Sequence, residues 1–491
     1  MYWAGGPWSG LRVNWMSEAN EEKKPALSND AASRLGTEPL GKLLIRFSIP
    51  AITGMLVNAL YNVVDRIFVG QGVNEIALGG LGLIMPIMTI TLAFAMLFGV
   101  GAANMLSMRL GQNRKEDAEN AFNHCFFLLL GVGLMISTCG LIFLEQILSI
   151  LGAQKDSEAL DYARSYFRII LLGSPFSMVG FGLSHCTRAQ GFPAKTMTGM
   201  IIGASLNIVL DYIFILVFHW GVEGAAWATI ISQLTAAIYM LSFAAGKKAV
   251  VRLRPLNIKP SIKIATQIMA FGSASFLLQF VMSGVQLLIN SSMGWYGAAS
   301  LGVSNGGDIA LSGMNIINSI SMLIFMPIFG INQGAQPILG FNYGAKQFDR
   351  VLGAYLRAIS AATLICLTGF TLTRLFPLQL ISLFTREGSA ALIYFTPRAM
   401  GIMFLILPLN GFQIISTNIF AVTGRPQFSI FLSMLRQCLV LIPCILIFGR
   451  IWGLWGVISS IPVADGFAFL ITGILIFFEL KKLRAGKTAK S

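Results

Sequence analysis

Hydrophobic residues in this chain gather in long runs separated by short polar stretches, as at 83–97, 126–144 and 467–478. A strand of a membrane barrel would show about 10 residues of strict alternation. These runs are longer and do not alternate. A helix crosses the hydrocarbon core of a bilayer with about 20 mostly apolar residues. Apart from a closed barrel, it is the one backbone form that satisfies its own hydrogen bonds there. The pattern therefore predicts an all-α polytopic membrane protein with twelve spans. They lie at 43–68, 77–106, 118–145, 162–187, 195–218, 224–244, 262–290, 308–338, 352–376, 394–421, 428–448 and 453–478.

Composition sharpens this picture. Of 491 residues, 55% are hydrophobic and 11% charged, against roughly 25% charged in a soluble chain. The net charge of +14 is explained by topology and needs no nucleic-acid partner. Roughly 27 of the 35 Lys and Arg fall in alternate connections and at the two ends of the chain. The positive-inside rule puts those on the cytoplasmic side. Both termini are expected there, in a multi-pass protein of the inner membrane. Residues 1–40 read as a polar, disordered leader without the apolar run of a secretory signal, and Met16 opens an alternative, more ordinary start. Residues 485–491 read as a basic tail. The six Cys read as small hydrophobes within spans, and no Cys/His metal spacing occurs.

The chain repeats itself. Phe98-Gly99 through Leu110-Gly111 is echoed by Phe329-Gly330 through Leu339-Gly340, and Gly191-Phe192-Pro193 by Gly424-Arg425-Pro426. Trp220-Gly221 and Gly224 are echoed by Trp452-Gly453 and Gly456. An N-lobe at 41–246, a basic linker at 247–263 and a C-lobe at 264–484 follow. A parallel six-plus-six repeat is a transporter signature, with the substrate between the halves.

Polar residues inside the spans carry the candidate chemistry. A carboxylate at mid-bilayer survives only where it faces a wet or protein-lined interior. Asn58, Tyr61, Asn62 and Asp65 share one helix face, as do Asn207 and Asp211, and Thr229, Ser232 and Gln233. Two carboxylates in one chamber can hold a proton. With Asn207 and Thr229 they also supply the oxygen ligands that Na⁺ takes. Asp65 has a structural alternative as a partner of Arg66. In the second half Gln279, Ser283, Gln286 and Asn290 form a stripe, with Asn315 and Ser319 and then Asn410, Gln413 and Thr417 on the following spans. These line a substrate path or bond helix to helix. Asp465 is read as pairing a cationic substrate or holding a lobe contact. Asp308 is read as a helix cap. Arg436 is expected to snorkel to the cytoplasmic surface in preference to binding an acid. Tyr61 and Tyr212 can stack on flat cations. Prolines 50, 86, 175, 327, 408, 443 and 462 are expected to bend spans.

Several stretches carry a family resemblance. They are Asn62-Val63-Val64-Asp65, Arg188-Ala189-Gln190-Gly191, Asn207-Ile208-Val209-Leu210-Asp211 and Gly224-Ala225-Ala226-Trp227-Ala228-Thr229. The most specific runs from Gln333-Gly334-Ala335-Gln336-Pro337 to Asn342-Tyr343-Gly344. From about residue 40 to 484 the chain resembles the MATE (multidrug and toxic compound extrusion) family, in its DinF-like and MepA-like branch. The resemblance implies a V-shaped pair of six-helix lobes and alternating access. It also implies efflux of organic, cationic or amphipathic compounds driven by H⁺ or Na⁺, with no resident cofactor. Positions matching Asp65, Asn207, Asp211 and Thr229 form the N-lobe cation site of such proteins. NorM-like members carry acids in the seventh and eighth spans. Gln279 stands in the seventh here, which argues against a C-lobe cation site. The expected partners are small organic substrates and the lipid bilayer, and the chain is expected to work as a monomer. The alternative is a flippase of lipid-linked precursors. P-loop and HExxH signatures are absent from the sequence, which points away from an enzyme.

Overall fold

The computed structural model describes residues 32–73, 75–150, 158–254, 261–300, 306–383 and 390–488. A short helix α1 (Arg34–Thr37) precedes the N-half, which holds α2 (Leu40–Gly72), α3 (Glu75–Gly111), α4 (Lys115–Ile142) and the short α5 (Leu144–Ile150). It continues with α6 (Glu158–Ala189), α7 (Pro193–Asp211), a π-helical segment (Tyr212–Val217) and α8 (Gly221–Ala245). The C-half holds α9 (Ile262–Ser300), α10 (Gly306–Gly344), α11 (Phe348–Leu375), the short α12 (Pro377–Ser382), α13 (Ala390–Met403) and α14 (Leu407–Val422). It ends with α15 (Pro426–Met434), a second π segment (Leu435–Leu441) and α16 (Ile442–Thr488).

Ten stretches of the described residues are long and apolar enough to cross a bilayer, and α13 with α14 makes one more, bent by 49°. One of the ten, Pro426–Lys481, has 56 residues. At 1.5 Å per residue it would be about 84 Å long, nearly three hydrocarbon thicknesses. It is divided at Gly453, whose φ of 58° and ψ of −135° leave the helical region. That division brings the total to the twelve spans predicted. Pro408 stands just after the α13–α14 break, where its missing N–H and its ring interrupt the ladder. Pro50, Pro86, Pro175, Pro327 and Pro462 instead lie within continuous helices. Pro443 is the second residue after the second π segment.

The repeat is written in the backbone. Left-handed φ values occur at Asn113 and Lys346, at Gly191 and Gly424, and at Gly221 and Gly453, which are 233, 233 and 232 residues apart. Each pair ends or begins the corresponding helix of its half. This register corrects one match made above. The structural counterpart of Gly111 is Gly344, not Gly340.

The halves are joined where the basic connections lie, called here the basic end. A Cβ on Gly111 would overlap the Phe341 carbonyl, and one on Gly344 the Met108 carbonyl. These four residues form two equivalent pairs under the repeat, so α3 and α10 cross about a local two-fold. Gly101 and Gly272 approach the Ile268 and Leu97 carbonyls as closely, and Gly334 approaches the backbone at Ser48. Hydrogen bonds reinforce the seam: Arg188 Nη1 donates to Gln333 Oε1 at 2.6 Å, and Gln336 donates to Asn104. One hydrophobic core runs from this end through the C-half. Val69, Ile84, Leu148, Phe167, Ile215 and Val222 form a separate core in the far part of the N-half. The halves thus share a core at the basic end and divide away from it.

The leader is more ordered than its composition predicts. Residues 1–31 lie outside the described residues, but Ala32 and Leu35 are buried. Arg350 donates to the carbonyls of Leu35 (3.1 Å) and Glu38 (2.7 Å) and to Asn342 Oδ1 (2.9 Å), and Asn342 Nδ2 also reaches the Leu35 carbonyl. A segment entering the N-half is therefore pinned by the C-half. Replacing Arg350 by Ala should remove about 2 kcal/mol of this attachment and speed tryptic cleavage at Arg34 several-fold. Unchanged cleavage would show that the clamp does not hold the leader.

Candidate functional site

Four helices of the N-half bring the site together. The α2 face that carries Tyr61 and Asp65 meets α7, which carries Asn207 and Asp211 one turn apart. Behind them α6 packs on α8 and presents Tyr166 beside Thr229. The carboxyls of Asp65 and Asp211 are close enough to share a hydrogen bond if a proton lies between them. The Tyr166 hydroxyl is within hydrogen-bonding reach of Thr229 and near both acids and Tyr61. Asp211 is 0% exposed, Asn207 2%, Tyr166 4% and Thr229 7%.

Among the described residues, neither carboxylate oxygen of Asp211 and neither amide atom of Asn207 has a hydrogen-bond partner in this arrangement. Buried polar groups are almost always paired. Two deprotonated carboxylates can only accept, so neither can satisfy the other. A shared proton would supply the missing donor. A hard cation would supply a centre for Asp211, the Asn207 carbonyl oxygen and the Thr229 hydroxyl. Residues of this kind fit either ion, since every available ligand atom is oxygen.

The local chain explains why the site ends where it does. α7 passes into the π segment immediately after Asp211, and the Tyr212 N–H reaches the carbonyls of both Ile208 and Val209. Single π turns recur at functional sites because they re-aim the following side chains. Tyr212 is 54% exposed, as a ring on a substrate path would be. Tyr61 lies near the acids. Tyr166 was missed in the sequence, where nothing distinguishes it from other aromatics in a span; only the packing of α6 on α8 selects it. Tyr166→Phe should weaken ion-dependent transport about fivefold, the worth of one buried hydrogen bond of about 1 kcal/mol. Unchanged dependence on ion concentration would remove Tyr166 from the site.

The other expected residues lie on several helices. The side chains of Asn62, Arg66 and Asp308 lie outside the described residues. Asn58 and Asn315 are exposed and Gln233 is half-buried. Along α9, Gln279 and Ser283 are half-buried, and exposed Gln286 donates to Asn290 at 2.9 Å. Asn410 and Gln413 are buried in α14. Arg436 does not snorkel alone: its Nε donates to Asp465 Oδ1 at 2.6 Å. Asn410 Nδ2 donates to the other oxygen at 2.9 Å. Asp465 is therefore held inside the C-half, and of its two expected readings the contact is the one seen. A surface groove lined by Leu141, Leu144, Glu145, Arg164 and Arg168 lies apart from all of these residues. Its Arg164 binds Glu145 at 2.7 Å and holds that exposed carboxyl below its ordinary pKa.

Two six-span halves, related by a parallel repeat and enclosing ionisable groups in their spans, define a polytopic membrane transporter. The MatE family profile matches residues 50–213 and 274–447, and the chain belongs to that family. It is 27% identical to the multidrug export protein MepA of Staphylococcus aureus over 450 residues, 91% of this chain and 95% of that protein. The MepA of Staphylococcus haemolyticus is 25% identical over 448 residues, 91% and 96% of the two chains. Among solved structures, a MATE crystal structure in the bent conformation superposes with a TM-score of 0.86 at 27% identity. The match covers 95% of this chain and all of that one. An outward-facing multidrug resistance MATE transporter of the MOP superfamily gives 0.84 at 28%, covering 94% of this chain and 100% of that one.

Proposed function

We propose that this transporter is a secondary antiporter that exports organic, cationic or amphipathic compounds in exchange for H⁺ or Na⁺. The observation that carries this reading is the pair of buried Asp211 and half-buried Asp65, with Asn207, Thr229 and Tyr166 around it. When both carboxyls are ionised they repel each other in a dry setting. A proton or Na⁺ relieves that repulsion, so the ion binds the arrangement that holds the acids together more tightly than one that separates them. Such a difference in affinity is what a ligand needs to shift a conformational equilibrium. The helix that carries Asp65, α2, also carries part of the seam between the halves at Ser48, so a change there is passed to the substrate path. The basic end is cytoplasmic in this reading and faces the interior across the inner membrane. The site is complete within one chain, which supports a working monomer.

Export of multidrug type is supported by the likeness to MepA. A lipid-linked-precursor flippase would need cationic side chains free to grip pyrophosphate, for which Arg is suited. Arg436, in the middle of its span, is already engaged by Asp465, which favours the antiporter. Proteoliposomes separate the two. A fluorescent organic cation should be driven by an imposed pH or Na⁺ gradient, each applied alone, while a lipid-linked sugar should not be flipped. Flipping of the sugar without ion-driven movement of the cation would overturn the reading.

A further inference from the structure

The C-half has no acid at the positions that match the N-half cluster. At the offsets of 232 and 233 set by the backbone, Asn207, Asp211 and Thr229 correspond to Val440, Cys444 and Ile461. The acid of the C-half, Asp465, instead corresponds to Gln233, one turn further along the span. It is 3% exposed, and both its oxygens accept a hydrogen bond, one from Arg436 on the neighbouring span and one from Asn410 on the bent span. The counterpart of Arg436 is Gly203, which has no side chain to offer. Arg436 and Asp465 lie 10 and 12 residues into their spans, counted from Pro426 and Gly453. At 1.5 Å per residue that is about 15–18 Å, near the middle of a hydrocarbon core about 30 Å thick.

A second observation shows that the place is built for a cation. Asn410 is buried, and its Oδ1 has no partner among the described residues. The Arg436 guanidinium meets one carboxylate oxygen and the Asn410 amide N–H the other, while the Oδ1 of that same amide stands close by as an acceptor that the guanidinium leaves unfilled. Other charges on the surrounding elements are remote or engaged. Lys263, Asp349 and Arg350 sit in the first turns of α9 and α11 at the basic end, Arg357 further along α11 donates to the Gly353 carbonyl at 3.1 Å, and Glu479 is paired with Arg425. Arg374 donates to the Gly401 carbonyl at 2.6 Å, and Arg398 lies 3.4 Å from the Tyr394 ring centroid. Arg450 stands near the break at Gly453. The remaining titratable side chains nearby are Tyr296, Cys366, Cys438, Cys444 and Tyr355, the last bonded to Ser416 at 2.7 Å.

We propose that Asp465 and Asn410 form a second cation site whose permanent occupant is the tethered guanidinium of Arg436. With that site filled by the chain itself, the N-half is the one place where a mobile ion is taken up and released. Removing the guanidinium should convert the C-half into a site for a proton or a hard monovalent cation. The inference deepens the antiporter reading and rests on it for its meaning in transport. The vacancy left by Arg436 can be tested without it.

The test uses purified full-length protein and its thermal unfolding midpoint, read as Na⁺ replaces choline at constant ionic strength and, separately, as pH falls below neutral. In an Asp211→Asn background, Arg436→Gln should introduce a cation-dependent rise of roughly 2–4 °C. Adding Asp465→Asn should abolish it, and Arg436→Lys, which keeps a tethered charge, should not produce it. A merely structural ion pair would lower the midpoint in Arg436→Gln without making it respond to cations. That result, or a response that persists after Asp465→Asn, would overturn the proposal. Should Arg436→Gln fail to accumulate, raised Na⁺ or lowered pH during extraction should recover it while Asp465 is kept, and failure to recover counts against the proposal. Wild type compared with Asp211→Asn alone tests the N-half site independently. If that comparison shows no difference, the antiporter site assignment fails while the Arg436 comparison still stands.

Discussion

Asp211→Asn reduces efflux of an organic cation to the level of cells lacking the transporter, while the protein stays in the membrane at wild-type abundance. Asp65→Asn does the same. Asn keeps the size and hydrogen-bonding shape of a protonated Asp but cannot ionise, so each variant holds the pair in its ion-loaded arrangement. The magnitudes support a full loss. Two unit charges about 4 Å apart interact by about 4 kcal/mol at an effective dielectric constant of about 20. Swinging a two-state equilibrium from 1:99 to 99:1 takes about 5.5 kcal/mol. Repulsion between these acids is therefore most of what is required, and no other acid among the described residues of the N-half spans stands in such a cluster. Stability should not suffer, because Asp211 is a buried carboxyl without a donor and its replacement is neutral. Normal dye efflux by both variants would show that the pair is not the coupling site.

The second large effect belongs to the seam. Gly344→Val places side-chain atoms where the Met108 carbonyl lies, and Gly111→Val does so against Phe341. Overpacking costs about 1–3 kcal/mol in an ordinary core. Here the obstacle is backbone on a second helix, so about 3 kcal/mol is expected, laid on the state in which the basic end is closed. That shifts the ratio of the two states by about two orders of magnitude. Transport should fall to background. Ser107, fully buried beside Gly340, offers the readout. A Ser107→Cys protein should resist a thiol reagent added on the basic side, and the same protein with Gly344→Val should react. Continued protection in the Gly344→Val protein would mean that these glycines do not control closure. Failure of both versions to accumulate would be resolved with Gly344→Ala, which adds the overlapping Cβ and nothing more.

These two predictions rest on different levels of information. Asp65 and Asp211 could be singled out in the sequence because an acid inside an apolar run is expensive, and the spacing to Tyr61 and Asn207 puts each on a polar face. Gly111 and Gly344 were visible as glycines in a repeat, but their contact was not, and one repeat match had slipped by a turn. Arg436 shows the same limit. A long basic side chain two to three turns into a span can snorkel or bind an acid, and the sequence favoured snorkelling. The choice was made by the neighbouring span, which puts Asp465 within 2.6 Å of it. Tyr166 joins the site for a related reason. Tyr212 adjoins Asp211 in the chain, yet successive helical residues point about 100° apart. Tyr166, some forty residues earlier, reaches the site through packing.

What the sequence by itself determined is the set of elements and their pairing in two halves. Span length, the repeat and the polar faces depend on local apolar content and on helical periodicity, both of which are one-dimensional. Only the tertiary structure decided which polar faces meet, which charges are neutralised from another span, and at which end the halves close. Those outcomes depend on helix rotation and on backbone approach between separate spans, from 29 residues apart for Arg436 and Asp465 to over two hundred for Gly111 and Gly344, and no local pattern encodes either.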